Sequence, residues 1–474
     1  MRIAAFLLLL ILGFSSCSSG EEQSSESSNE LPNIILLIGD DHGYPYFGFN
    51  GAEYVKTPNL DALAESGILF TDGYVTDNYC RPSLQTLLTG RLPINLFREN
   101  LEAMYSDIMK TRLHPDSILS YQRSYNLKGT GFSKFNTLPK MLAKKGYLSF
   151  QGGKWWEYHY RNGGFTHGMT KGWTGVEQTK PGWFNEHMGG DGLDLARVSN
   201  QAAYNFLEET KGKPFFMWFA PSLPHYPFDA PQKYLDLYED ANMTESAKKY
   251  YANCSWFDDS WGEMVTYLKD HGIYDNTLVI YVNDNGWEQG PNQEFINDPQ
   301  RSHNGGDKGK GSVYDLSFRS PIIFSWPGKI SANIRTDAFI HSSDIPATIL
   351  DYVGLPVPED FYGKSYKDVI SGERKIIREY IVGNSVKSRS QDPENLMGRT
   401  IEAYWVRMDD WFLRWHKTDD ELELFDLNYD PLNKTNLIES FPEITSEMLD
   451  YLQIYREKYG FDSRISYFRG QENQ

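Results

Sequence analysis

Residues 32–43 read PNIILLIGDDHG. The run Ile34–Ile38 is apolar without alternation, and it stops at a glycine and two acids. A short continuous apolar run with a turn signal behind it reads as a strand buried on both faces, as strands of a parallel sheet are. Residues 147–155 (YLSFQGGKW), 213–221 (KPFFMWFAP) and 276–286 (NTLVIYVNDNG) repeat the design, and ILFTDGYV (68–75) reads as another strand. Between them, TPNLDALAESG (57–67) predicts a helix capped by Thr57, opened by Pro58 and ended by Gly67, and KFNTLPKMLAKKGY (134–147) predicts a second. Strands alternating with helices predict an α/β fold, a large mostly parallel mixed sheet sandwiched by helices. Sites in such sheets gather at the carboxyl ends of the strands. Asp40, Cys80, Lys154, His225 and Asp284 all fall at such ends or in the loops that follow.

After about residue 365 the texture changes. RTIEAYWVRMDDWFLRWHK (399–417) and LELFDLNYDP (422–431) predict antiparallel strands, and ITSEMLDYLQIYREKYG (444–460) predicts a closing helix. The expected organisation is a main domain over 32–365 and a smaller C-terminal α+β subdomain over 366–474, with no internal repeat. At the other end, MRIAAFLLLLILGFSSC has the basic start, apolar run and small residues of a secretory signal, too short to span as an ordinary transmembrane helix. FSSC resembles a bacterial lipobox, with Cys17 as the residue that takes lipid; cleavage by an ordinary peptidase is the alternative. Residues 18–31 form a Ser/Glu-rich tether. These features predict an enzyme secreted across the inner membrane and held by lipid at the outer membrane or cell surface of a Gram-negative bacterium, or in the periplasm. Only Cys80 and Cys254 then remain, which makes no disulfide framework. Cys254 lies in a helical stretch and reads as a packing residue.

The 474 residues carry a net charge of −18, which argues against general nucleic-acid binding. An anionic substrate remains compatible, because a local cluster of lysines and a metal can dominate one pocket. Aromatic residues make up 15% of the chain, including 12 Trp, more than packing alone requires. Aromatic faces stack on sugars, although most serve as core.

Asp40 and Asp41 repel each other at a strand end unless a cation or hydrogen-bond donors compensate; alone they also read as a solvated turn or cap. Asp284-Asn285-Gly286 alone reads as a turn. Together these ends supply carboxylate and amide oxygens for one hard divalent cation. No His/Cys set favours zinc. Calcium fits the mixed donors better, with magnesium the alternative. Pro82 and Gly90 bracket a short helix, which puts Cys80 at its N-terminus, where the helix dipole favours a negative atom.

The stretches PNIILLIGDDHG, CRPSLQTLLTGR, GGKW, PHYP, NDNG, DKGKGSVYD and LFDLNYDPLNKTNL occur in that order between about residues 32 and 440. The ordered set resembles the type I sulfatases of the alkaline-phosphatase superfamily. The resemblance implies that a maturation enzyme oxidises Cys80 to formylglycine. One hydroxyl of its hydrate attacks the sulfur of a sulfate ester, and the second then drives sulfate out as the aldehyde reforms. It implies that Asp40, Asp41, Asp284, Asn285 and modified Cys80 hold the metal. Lys154 matches the lysine that contacts sulfate and nucleophile, and His225 the histidine near the leaving oxygen, a candidate acid. Lys310 matches the lysine that bridges sulfate and leaving group. Lys308 is its near neighbour, and the KGSVYD pattern favours Lys310.

Two positions depart from the family. The signature is Cys-x-Pro-Ser-Arg, and Leu84 replaces the arginine that serves maturation and braces the formylglycine. Leu84 does neither and packs in its helix; Arg81 is the nearby cation. After Lys154 the family has Trp-His, and Trp156 stands at the histidine position. Its ring nitrogen accepts no proton. His159 is a candidate substitute, and His42 a second that more readily shapes the acidic loop. Three readings follow: a working sulfatase with a relaxed signature, a phosphoesterase, which would rather use Thr or Ser, and a non-catalytic binder of sulfated glycan through Lys154, Lys310 and aromatics. The retained set favours the first, acting on a sulfated carbohydrate. WWEYHYRNGG and EHMGGDG read as loops at the mouth. Trp155, Trp156, Trp183 and Trp287 are either sugar platforms or core, and Arg161 is a candidate charge contact.

Overall fold

The run Ile34–Ile38 lies inside a β-sheet, with parallel neighbours on both sides. The computed structural model describes residues 31–172, 182–286, 308–388, 399–417 and 420–459. Cys17, the signal peptide and the tether as far as residue 30 lie outside the described residues, as do Trp287 and the Trp183 side chain. In chain order the described strands are β1 (Asn33–Gly39), β2 (Ile68–Phe70), β3 (Gly73–Tyr74), β4 (Leu148–Gly153), β5 (His167–Gly168), β6 (Phe215–Ala220), β7 (Thr277–Asn283), β8 (Ile322–Ser325), β9 (Ile334–Thr336) and β10 (Ile340–His341). Eight of them form one sheet in the order β5-β4-β6-β1-β7-β8-β2-β9. All pairs are parallel except those made by β8, so the sheet is mixed and mostly parallel.

Both faces of β1 are covered. Ile35 and Leu37 join a core with Phe206, Trp261 and Leu268 of the helices Gln201–Thr210 and Glu245–Asp270. Ile34, Leu36 and Ile38, on the other face, are equally buried. Cys254 is fully buried in the second of these helices, as packing predicts.

Register decides where the chemistry sits. Gly39 pairs with Asn283, so Asp40 and Asp284 leave the sheet side by side. Gly153 pairs with Ala220, so Lys154 and the proline-rich loop carrying His225 leave at the same edge. Glycine is required at two of these exits. A Cβ on Gly39 would stand 2.6 Å from the Tyr281 hydroxyl, and one on Gly153, at φ +89, would stand 1.8 Å from the Ala220 carbonyl.

Three expectations change. ILFTDGYV splits into β2 and β3, which belong to different sheets. The helix Pro58–Glu65 is capped by a distant side chain: Asp258 accepts from the Asn59 and Leu60 amides, while the Thr57 hydroxyl is engaged by Gly48 and Asp61. The helices Pro93–Thr111 and Pro115–Leu127 follow the cysteine helix without having been read from the sequence.

The C-terminal strands β11 (Tyr380–Ser388), β12 (Arg399–Met408), β13 (Trp411–His416) and β14 (Glu421–Asp426) form an antiparallel sheet in that order. β11 begins before the residues read as strand. The helix Pro442–Tyr459 covers this sheet through Met448, Leu452 and Tyr455. Trp405 of β12 packs on Tyr74 and Phe318, and the Arg407 guanidinium donates to the Tyr74 hydroxyl at 2.9 Å.

Candidate active site

Asp40 and Asp41 emerge from β1 fully buried, and Asp41 adopts φ +60. That conformation costs a non-glycine residue roughly 1–3 kcal/mol and persists only where neighbours hold it. Here they do. The Asp41 amide donates to Asp284 Oδ1 at 3.1 Å, and the Tyr250 hydroxyl donates to the Asp41 carbonyl at 2.8 Å. His42 is also buried, stacked on Phe47, with Nε2 2.8 Å from the Tyr46 carbonyl, so it shapes the loop.

Cys80 opens the helix Cys80–Thr89, which ends at Gly90 in the left-handed conformation, as the sequence predicts. The thiol faces the acids: Sγ lies 4.0 Å from Asp40 Oδ1 and 3.9 Å from Asp41 Oδ1. One ligand atom from each of Asp40, Asp41, Cys80 and Asp284 lies within 4.8 Å of the others. The Asn285 amide donates to Sγ at 3.3 Å, and Lys154 Nζ donates to it at 3.1 Å while also pairing with Asp40. Lys310 Nζ contacts Asp41 Oδ2 at 2.8 Å, and His225 Nε2 lies 3.6 Å from the same oxygen. Asp40, Asp41, Cys80, Lys154, His225, Asp284, Asn285 and Lys310 therefore reach one pocket. Lys308 does not: its ammonium donates to the Asn433 carbonyl.

The charges are tightly coupled. Burial pushes the Asp40 carboxyl up to about 6 against the pull of Lys154, and burial raises Asp284 as well. Burial opposes charge on Lys154, but Asp40, Cys80 and Asp284 more than offset it and hold the ammonium above its ordinary range. Burial and Lys154 push His225 down to about 4. The thiol corrects the expectation from the helix dipole: burial, then Asp284, raises Cys80 well above its ordinary value, and Lys154 and Lys310 only partly reverse this. Burial thus favours the protonated form of unmodified Cys80 as long as no cation is bound beside it.

Asp40 Oδ2, Asp284 Oδ2 and Asn285 Oδ1 are buried without a hydrogen-bond partner. Buried oxygens without a hydrogen bond are costly, and of these Asp284 Oδ2 has a cation in reach, Lys154 Nζ at 3.9 Å. A divalent cation among them removes that cost, and the all-oxygen set beside the cysteine position suits a hard ion. The residues present fit such a cation.

The two departures from the family border one cavity. Leu84 is 5% exposed, and it lines one narrow cavity together with Trp155, Trp156 and Leu88. Arg81 does not replace the missing arginine beside Cys80. Its guanidinium makes a two-pronged contact with Glu157, 2.8 Å in each prong, and Gln85 donates to the same carboxylate. His159 does not replace the missing histidine, since its Nδ1 accepts from the Arg161 amide and caps the turn Tyr160–Gly163. Arg161 lies over the Tyr160 ring. Trp155 is 3% exposed, which makes it core and not a sugar platform. Trp156 is half-buried, with the Lys154 ammonium 5.9 Å from its ring centre.

Sequence reading missed His187 and Glu157. The His187 ring stands edge-on to Trp156, 5.1 Å between centres, and burial, then Arg81, pushes it down to about 3. His187 lies on the short helix Trp183–Met188, within what reads as the mouth loop EHMGGDG. Nothing in its local sequence signals contact with Trp156. Glu157, directly after the aromatic pair, shows its partner only in three dimensions.

A family model described as Sulfatase matches residues 32–355, and one described as N-sulphoglucosamine sulphohydrolase, C-terminal, matches residues 306–458. The chain is 26% identical to an arylsulfatase of Clostridium perfringens over 89% of this chain and 93% of that one. It is 29% identical to an N-acetylgalactosamine-6-sulfatase of Mus musculus over 69% of this chain and 64% of that one. The solved structure of Ps i-CgsB in complex with k-i-k-neocarrahexaose superposes with a TM-score of 0.66 at 24% identity, covering 90% of this chain and 92% of that one. The chain belongs to the sulfatase family of sulfuric ester hydrolases.

Proposed function

We propose that this enzyme removes sulfate from a sulfated carbohydrate, using formylglycine made from Cys80 and one bound divalent cation, calcium before magnesium. The observation that carries the reading is the convergence of the Cys80 sulfur, three buried acids and the ammonium groups of Lys154 and Lys310 in one pocket. The cation supplies Lewis-acid polarisation, and the hydrated aldehyde supplies a hydroxyl nucleophile with a second hydroxyl for release. Asp40, Asp41, Asp284 and Asn285 would hold the ion. Lys154 and Lys310 clamp the sulfate oxygens, where each well-placed donor is worth roughly 2.7–4 kcal/mol of barrier. His225 stands 3.6 Å from Asp41, and the negative charge of a bound sulfate ester raises its proton affinity so that it can protonate the leaving oxygen.

Carbohydrate is favoured as substrate class because the half-buried Trp156 stands beside Lys154, and because one superposed structure holds a carrageenan oligosaccharide. Leu84 and Trp156 line the same small cavity, together with Arg81, Gln85 and Glu157, and this shared lining supports a working site over a decayed one. A maturation enzyme that accepts Leu84 is the required partner. The signal and FSSC at Cys17 support secretion and lipid anchoring at the outer membrane or cell surface of a Gram-negative bacterium. The catalytic domain is taken as 32–365, with 366–474 as the C-terminal subdomain.

The test uses purified protein co-expressed with a formylglycine-generating enzyme and supplied with calcium. Sulfate should be released from 4-nitrophenyl sulfate and from sulfated oligosaccharides. Faster cleavage of 4-nitrophenyl phosphate would replace this reading with the phosphoesterase one.

A further inference from the structure

Lys310 is flanked by Gly309 and Gly311, and Gly311 sits at φ +81. A lysine between two glycines has unusually large backbone freedom to lose, at roughly 1–2 kcal/mol per residue fixed. Its ammonium nevertheless stands 2.8 Å from Asp41. Two anchors bracket it. On the C-terminal side, the Asn78 amide donates to the Ser312 carbonyl at 2.5 Å, and the Ser385 hydroxyl of β11 donates to Asn78 Oδ1 at 3.1 Å. On the N-terminal side, the Lys308 ammonium donates to the Asn433 carbonyl and lies 4.1 Å and 5.6 Å from the ring centres of Tyr314 and Phe425. Asn433 is 2% exposed, and its Oδ1 accepts from the Asp315 amide at 3.3 Å. The Ser312 amide donates to the Gly309 carbonyl at 3.0 Å and closes the turn between the anchors. Both anchors lead into the C-terminal subdomain, and the C-terminal family model begins at residue 306, so it takes in both lysines.

We propose that Lys308 is a positioning residue, through which Asn433 and Phe425 of the C-terminal subdomain hold Lys310 over the sulfate pocket. The proposal rests on the sulfatase reading of that pocket. An ammonium between two rings and a carbonyl gains cation–π and hydrogen-bond energy in one place. That fixes the start of the glycine-flanked turn, and Lys310 is then presented at a set height instead of sampling solvent.

The experiment is a double-mutant cycle on the full chain, with Lys308→Met, Lys310→Ala and the pair together. Inorganic sulfate is the calorimetric probe, and 4-nitrophenyl sulfate the kinetic one. Methionine keeps the apolar stem and removes the ammonium, with its charge and its hydrogen bond to the Asn433 carbonyl. Sulfate affinity in Lys308→Met should fall about tenfold, with KM rising by a similar factor and the melting temperature close to wild type. Lys308→Arg should recover most of the loss. The double variant should bind sulfate no more weakly than Lys310→Ala alone. Losses that add in the double variant, or unchanged affinity in Lys308→Met, would overturn the positioning role and leave the sulfatase reading standing. Unchanged sulfate affinity in Lys310→Ala would overturn both.

Discussion

On one side of Cys80 stand Asp40, Asp41, Asp284 and Asn285; on the flank of its helix stand Leu84, Trp155 and Trp156. The acidic side keeps every residue of the family pattern, and the flank departs at two of them. The difference has a physical cause. On the acidic side each carboxylate is buried, and each is answered by a lysine, an amide or an oxygen site for a cation. Removing one partner strands a buried charge, at roughly 3–5 kcal/mol. On the flank, shape and volume matter most, so an arginine and a histidine can both be replaced if the replacements together fill the cavity they line.

The largest effect should come from the meeting point of the two sides. Cys80→Ala should abolish sulfate release while circular dichroism and melting temperature stay near wild type; turnover that survives would break the mechanism. The next tests the flank. Leu84→Arg alone places an unpaired guanidinium where Leu84 is now buried, and should lower stability in urea by roughly 3–5 kcal/mol. Combined with Trp156→His, which frees volume beside it, the loss should be smaller than the sum of the two single losses. Strict additivity would mean that the two positions do not form a pair.

Much of this arrangement was legible in the chain. The Gly39-Asp40 and Asn283-Asp284 exits could be read because continuous apolar strands in parallel register end together. The choice of Lys310 over Lys308 came from the resemblance of KGSVYD to the sulfatase family's lysine pattern, and the pocket agrees. What stayed hidden depends on contacts between distant segments. Arg81 is charged and adjacent to Cys80, yet it turns to Glu157, a partner 76 residues away. The cap of the helix Pro58–Glu65 is Asp258, whose link to Leu60 spans 198 residues. Trp155 and Trp156 are indistinguishable in sequence, and only the fold sends one to the core and leaves the other beside Lys154. The upward push on the Cys80 thiol reflects burial, which outweighs the helix end that the sequence displays.

The acidic side can be tested through its ion. Chelation should lower the melting temperature and abolish activity, and calcium should restore both more completely than magnesium. Saturation at a hundred times the dissociation constant is worth about 2.7 kcal/mol. A melting temperature indifferent to chelator would contradict a cation among Asp40, Asp284 and Asn285. The smallest effect belongs to the flank. His187 is held neutral down to about pH 3, while in the unfolded chain it takes a proton near 6.5. Its contribution to stability is therefore complete above about 6.5 and is lost as pH falls from there toward 3, at no more than about 1.4 kcal/mol per pH unit. His187→Asn should flatten the fall in melting temperature between pH 6.5 and 5, and an unchanged slope would show that His187 is not held neutral against Trp156.

The most direct test is the mass of the peptide that spans Cys80, taken from protein made in its native host. The account predicts a residue lighter than cysteine by one sulfur-for-oxygen exchange and two hydrogens, the mark of formylglycine. An intact thiol at Cys80 would contradict it, because a cysteine side chain, unlike an aldehyde hydrate, has no second hydroxyl to drive sulfate out again.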